Sequence, residues 1–282
     1  MQSIVKHSKY SLKRILVLYL PLAIVLLFLL FPYYWTLVTS LKPNHELYST
    51  QVVYWPVAPT LNAYVQLFGQ FNFLKPMWNS FVVAMITTAL SLTVSMLAAY
   101  SFSRFRYRGR KLLMVLFLTN NMFPTVLLLI PLFTIMRQMN ILYTPASLVL
   151  SYTTFTIPFS VWLLNGYLND LPMSLEEAAM VDGANRVQAF MRIIFPVLIP
   201  CLLATGVYIF MQSWNEYTFA VLFTNDRNRT VPVALKSLIG QFGVQWELLT
   251  AGGIITVIPV CFMFFFAQKK LVAGLTSGAV KG

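Results

Sequence analysis

ILVLYLPLAIVLLFLLFPYYWTLV, residues Ile15 to Val38, contains no charged side chain. A bilayer core about 30 Å thick is crossed by roughly 20 apolar residues in a helix. The run therefore predicts a membrane-spanning helix. The basic residues before it (Lys6, Lys9, Lys13 and Arg14) give it the outline of a signal peptide. It is too long for a signal core of roughly 7–15 residues, and no A-x-A cleavage pattern follows, so an uncleaved span is expected.

Five further runs pass the same length test, at about residues 77–101, 112–135, 145–168, 193–221 and 249–267. The composition agrees with them. Hydrophobic residues make up 58% of the chain and charged residues 10%, against roughly 45–50% and about 25% in soluble domains. Eight acidic residues and two histidines nearly exclude an acid- or metal-rich soluble enzyme. Cys201 and Cys261 lie in apolar runs outside any CxxC pattern, so neither a disulfide framework nor a metal site is expected. The fold class is all-α: a single transmembrane domain over residues 1–282 with six spans.

Basic residues set the orientation, because they collect in cytoplasmic loops. With the N-terminus inside, four precede the first span and five follow the second (Arg104, Arg106, Arg108, Arg110, Lys111). Arg186, Arg192, Lys269, Lys270 and Lys281 bring the inside total to fourteen, leaving six of the twenty outside. Both termini are thus predicted to be cytoplasmic. The run RFRYRGRK is read as an orientation signal beside the membrane, with lipid rather than nucleic acid as its neighbour. Outside, the proline- and aromatic-rich loop from Leu41 to Pro76 and the segment from Phe223 to Glu247 should each form an ordered cap.

Pro124, Pro158 and Pro259 sit near the middle of spans, where each removes a backbone hydrogen bond and should kink its helix. The amide pair Asn120-Asn121 precedes Pro124 by one turn. Such amides serve either as interhelical glue or as substrate contacts. Trp214, Asn215 and Glu216 divide similarly between an interfacial anchor and a translocation path, and Trp162 and Asn165 join the candidates for that path. There is no GxxxxGK[ST] phosphate loop. No ladder of midplane acids suggests a proton- or sodium-coupled carrier, and nothing resembles a selectivity filter. Uphill transport by this chain needs energy from another subunit.

Between the fourth and fifth spans, in a loop over residues 171–192, lies Leu171-Pro172-Met173-Ser174-Leu175-Glu176-Glu177-Ala178-Ala179-Met180-Val181-Asp182-Gly183-Ala184. Pro172 should end the preceding helix. Ser174 with Glu177 three residues on predicts a capping box, starting a short helix that runs to about Asp182. Gly183 should end it at positive φ, and Asn185 should cap a second helix entering the fifth span. Ala178 and Ala179 leave room for close approach to a partner.

EAAMVDGA, with Ile193 and Pro196 beyond it, resembles the EAA loop of binding-protein-dependent ABC importer permeases. AYSFSRFRYRGRK, the MFP of the third span, PFSVWLL, SWNEY and the terminal GLTSGAVKG extend the resemblance to the shorter, maltose-transporter-type permease of the carbohydrate uptake family. Phe195 and Asn185 depart from the usual leucine and serine. The resemblance implies a coupling helix whose Ser174, Glu176, Glu177, Ala178, Ala179, Asp182 and Gly183 engage an ATPase, with Glu177 pairing a basic residue there. It implies a tail over residues 274–282 (Gly274, Thr276, Gly278) reaching between two ATPase subunits, and an outer loop that enters a solute-binding protein. The partners implied are a second homologous permease, two ATP-binding subunits that hold ATP and Mg, and an extracytoplasmic binding protein. The chain itself would bind no cofactor or metal and do no covalent chemistry, in the cytoplasmic membrane of a bacterium or archaeon. A sugar is the expected cargo. A non-sugar solute such as a polyol phosphate, or a stand-alone carrier or channel, are the alternatives.

Overall fold

The computed structural model describes residues 15–241 and 243–279. Lys6, Lys9, Lys13 and Arg14 and the final three residues of the tail, all named in the sequence reading, lie outside them. In chain order the helices are α1 (Leu20–Ser40, entered by a π turn Ile15–Tyr19), α2 (Asn44–Leu47), α3 (Asn62–Gly69) and α4 (Leu74–Arg104). Then come α5 (Arg110–Met122), α6 (Leu129–Gln138), α7 (Pro145–Asp170), α8 (Ser174–Val181) and α9 (Arg186–Ala189). The chain ends with α10 (Phe195–Trp214), α11 (Ala220–Phe223), α12 (Val231–Ser237) and α13 (Trp246–Ala279). A hairpin of two-residue strands, β1 (Ile239–Gly240) and β2 (Gly243–Val244), precedes α13.

Five helices among the described residues are long and apolar enough to cross a membrane, and α5 with α6 makes a sixth crossing bent by 97°. The break falls at Pro124. Its nitrogen carries no proton and its ring clashes with the carbonyl four residues back, so the helix stops. Phe123 bonds Asn120 instead, and a 3-10 turn over Thr125–Leu128 restarts the chain. Pro158 behaves differently from Pro124 and does not end its helix. It stays inside α7. The carbonyl that Pro158 frees is that of Thr154, and it accepts the Asn120 amide at 3.1 Å. Pro259 likewise lies within one continuous helix. Of the three, only Pro124 breaks a span among the described residues.

Within residues 1–282, the packing separates two compact units, Met1–Gln70 with Gly240–Ile255 and Phe71–Ile239 with Thr256–Gly282. In the first, the segment between α1 and α3 is ordered by its own polar groups. The Glu46 carboxylate accepts from the backbone of Val57 and Ala58, Thr60 N–H reaches Leu41, and Tyr48 donates to the Val244 carbonyl. Lys42 is buried, donates to the Val53 carbonyl and lies over the Trp35 ring.

The second unit is built on α4 and α7. Ser80, Ala84, Thr87, Thr88, Ser91, Ser95 and Ala99 form a buried stripe along α4 at spacings of three and four. Small side chains let helix backbones approach closely where lipid supplies no hydrophobic drive. Across this seam Ser91 meets Thr156 at 2.8 Å, Ser95 donates to the Ile157 carbonyl, and Ser103 donates to Asn169 at 2.9 Å. The pairing offset is nearly constant along the seam, so α4 and α7 run parallel. The segment between them must therefore cross the whole bilayer, which makes the bent α5–α6 pair a broken span rather than a re-entrant loop. Helix α10 runs antiparallel to α4. Gly206 faces Leu92 and Thr88, while Leu198 and Ile194 cluster with Ala99 nearer the opposite end.

Two span boundaries differ from the sequence reading. The fifth helix ends at Trp214, not near Val221. There the Glu216 carboxylate accepts from the backbone N–H of Phe219 and Ala220 and starts α11 afresh. The segment that follows is ordered as expected, with Asn79 donating to the Arg229 carbonyl and Asn228 to that of Tyr143. The sixth helix continues well past the apolar run, as far as Ala279.

Candidate functional site

The loop between α7 and α10 begins where Leu171, extended at φ −83 and ψ 124, ends α7. Helix α8 follows over eight residues. Its start corrects the expected capping box. Met173 is already helical (φ −63, ψ −27), and its carbonyl takes the Glu177 N–H at 3.1 Å. Ser174 is thus the first helical residue, one position too late to cap, and no side chain caps the helix. The end matches expectation. Gly183 sits at φ +90, and Ala184 N–H returns to the Ala179 carbonyl. Asn185 caps α9 in a full capping box, each partner bonding at 2.9 Å, with Gln188 as the reciprocal residue that the sequence reading did not single out.

The two adjacent glutamates leave the helix about 100° apart, and here one is exposed and the other buried. Glu177 is exposed, as are Ser174, Ala178, Asp182 and Gly183, with Ala179 half-buried. Glu176 points inward. Its Oε1 takes the Arg104 guanidinium at 2.5 Å, with side chains only 5% and 11% exposed, and its Oε2 accepts from Tyr100 at 2.8 Å. Arg104 also donates to the Leu171 carbonyl at 3.2 Å. The Tyr100 ring packs edge-on against Phe190 at 4.7 Å, and Arg186 lies over Phe105. Sequence reasoning assigned Arg104 to orientation alone and did not single out Tyr100. No residue near Glu176 in the sequence signals its partner, because Arg104 lies 72 positions away.

The candidates for a path do not form one cluster. Among the described residues no hydrogen bond or ring contact joins Asn120 and Asn121, Trp162 and Asn165, and Trp214 to Glu216 into a single site. Asn120 ties α5 to α7, whereas exposed Asn121 bonds its own helix at Phe117. Trp162 is exposed beside Phe159, which in turn packs on Tyr208. Asn165 holds a buried Oδ1 without a partner. Trp214 is 1% exposed and stacks on Phe210, so its ring is interior packing rather than an interfacial anchor. Asn215 bonds the Met211 carbonyl, and the Glu216 carboxylate is satisfied by backbone. Gly274, Thr276 and Gly278 lie on the last turns of α13.

Residues 91–277, from the second span to the tail, match the family described as binding-protein-dependent transport system inner membrane component. The chain is 36% identical over 254 residues to the sulfoquinovosyl glycerol transport system permease protein SmoH of Agrobacterium fabrum, covering 90% of this chain and 89% of that one. It is 35% identical over 275 residues to the trehalose/maltose transport system permease protein MalG of Thermococcus litoralis, covering 96% and 98%. A chain from the crystal structure of a bacterial ABC transporter importing the acidic polysaccharide alginate superposes with a TM-score of 0.71 at 23% identity. That match covers 95% of this chain and 99% of that chain, and it supports the shared fold. The multi-pass chain, with its helical loop between the parallel pair and α10, belongs to the family of binding-protein-dependent transport system inner membrane components.

Proposed function

We propose that this chain is one of two permease subunits of an ATP-driven importer that takes up a sugar or oligosaccharide. The observation that carries this reading is the short helix α8 with Glu177 free on its outer face and Glu176 tied inward. A surface carboxylate without a partner among the described residues, on a helix held against the bundle, suits docking to a basic side chain of another subunit. Two ATP-binding subunits hold ATP and Mg and close on each other. Their closure pushes α8, and the bundle swings from inward- to outward-facing, receiving its cargo from an extracytoplasmic binding protein. The chain lacks its own nucleotide site and transports without covalent chemistry. Its termini lie in the cytoplasm, following the fourteen-to-six division of basic residues, and the end of α13 reaches toward the ATPase.

The sugar assignment is supported by the relatives: SmoH bears the name of a sulfoquinovosyl glycerol system and MalG that of a trehalose/maltose system. The test has two parts. Affinity purification of the tagged chain from its own membranes should bring down a second permease and an ATP-binding subunit. The binding protein encoded beside it should bind a mono- or oligosaccharide by calorimetry. A chain that purifies alone overturns the importer reading. A binding protein that prefers a polyol phosphate or another non-sugar leaves the importer standing and replaces its cargo.

A further inference from the structure

We propose that Arg104 and Glu176 form a brace that makes α4 move with α8, so that both are positioning residues for coupling rather than contacts to the ATPase. This rests on the reading of α8 as the docking helix. An eight-residue helix with no side-chain cap has little stability of its own, so its position is set by what grips it. One guanidinium does most of the gripping. Arg104, the last residue of α4, holds the Glu176 carboxylate and the Leu171 carbonyl, and so fixes both the start of α8 and the turn before it. Tyr100, one turn earlier on α4, takes the second Glu176 oxygen and packs on Phe190 at the entrance to α10. Both oxygens of Glu176 are thereby used inside the chain.

Exposure decides what such a pair does. Ion pairs in water are worth little. This one is nearly buried, and separating its members leaves an uncompensated charge away from solvent. The linkage is therefore stiff, and a displacement of α8 is carried into α4 and, through Tyr100 and Phe190, into α10. Arg186 over Phe105 adds a second contact from the far side of the loop to the residue following α4.

The test uses the whole complex in nanodiscs, with the second permease, the cognate ATP-binding subunit and the cognate binding protein. Arg104→Glu, Glu176→Arg, the double exchange and the conservative Arg104→Lys are compared with Glu177→Gln. Two quantities are read: the amount of ATP-binding subunit retained, and the ratio of ATP hydrolysis with binding protein to that without. The single variants should retain the ATP-binding subunit within about twofold while stimulation falls at least about fivefold, the low end of coupling between sites. The double exchange should recover most of the stimulation. Arg104→Lys, which keeps the charge but loses the planar fork, should fall between them and remains readable if the reversals do not assemble. Unchanged stimulation in the single variants or in Arg104→Lys overturns the brace. So does loss of the ATP-binding subunit matching that of Glu177→Gln, because the pair would then act on docking. Failure of the parent chain to retain any ATP-binding subunit overturns the docking reading and the brace with it.

Discussion

Glu177→Gln is the substitution that isolates docking. The carboxylate is exposed and makes no hydrogen bond or ion pair among the described residues, and the backbone N–H of Glu177 bonds the Met173 carbonyl whatever the side chain. Because Ser174 does not cap α8, no reciprocal capping bond is lost. The change should therefore alter the stability of this chain by no more than about 0.5 kcal/mol, as for other surface substitutions. At the ATPase the arithmetic differs. Removing one member of a buried ion pair costs on the order of 3–5 kcal/mol, and each 1.4 kcal/mol or so is tenfold in affinity. Docking should weaken by roughly a hundredfold to a few thousandfold. Titration of the ATP-binding subunit onto the purified permease pair measures this directly, with thermal unfolding of the permease as the control. Docking within about threefold of the parent would refute the reasoning. A fall in melting temperature would show instead that Glu177 supports its own helix.

Three further outcomes follow from the geometry. A cysteine at Arg108 should label only from the cytoplasmic side and one at Arg227 only from outside; both positions are exposed, whereas neighbouring Thr230 is buried. Gly206→Ala should be tolerated at under about 1 kcal/mol, because the new Cβ would press only on the end of the Leu92 side chain at 3.2 Å and meet the Thr88 methyl at an ordinary 3.7 Å. Gly206→Leu should cost about 1–3 kcal/mol by overpacking, read as a lowered melting temperature in detergent. Asn185→Ala should lose about 1 kcal/mol with its capping box, while Ser174→Ala should stay within about 0.5 kcal/mol, both measured by thermal unfolding.

Much of this architecture was legible because the bilayer imposes one strong rule: a span is a long apolar run. The first, second and fourth spans lie close to where hydropathy put them. The errors fall where polar detail overrides that rule. The fifth helix stops at Trp214 because a single carboxylate, Glu216, captures two backbone amides and turns the chain. Apolar residues continue past that point, so hydropathy does not register it. Pro124 and Pro158 look alike in sequence. In the structure the carbonyl freed by Pro158, at Thr154, receives the Asn120 amide from another helix, whereas the chain breaks at Pro124. In the loop between α7 and α10, Gly183 and Asn185 were readable because their chemistry is local. The Ser174 cap failed because the helix began one residue earlier than the motif demands. The partner of Glu176 was hidden by its distance along the chain, since nothing near residue 176 points to Arg104.

The broken third span also bears on how the chain is made. Spans leave the ribosome in order, and each must partition into lipid with what is already present. The first, an unbroken apolar helix of 25 residues, is suited to insert alone. The third enters as two short helices around Pro124 with Asn120 and Asn121 at the join, a poor lipid-facing segment by itself. The carbonyl that receives Asn120 belongs to Thr154, which is synthesised later. The bond that receives the Asn120 amide can therefore form only once the fourth span is present. In a nascent chain that ends between the two spans, Asn120 lacks this acceptor.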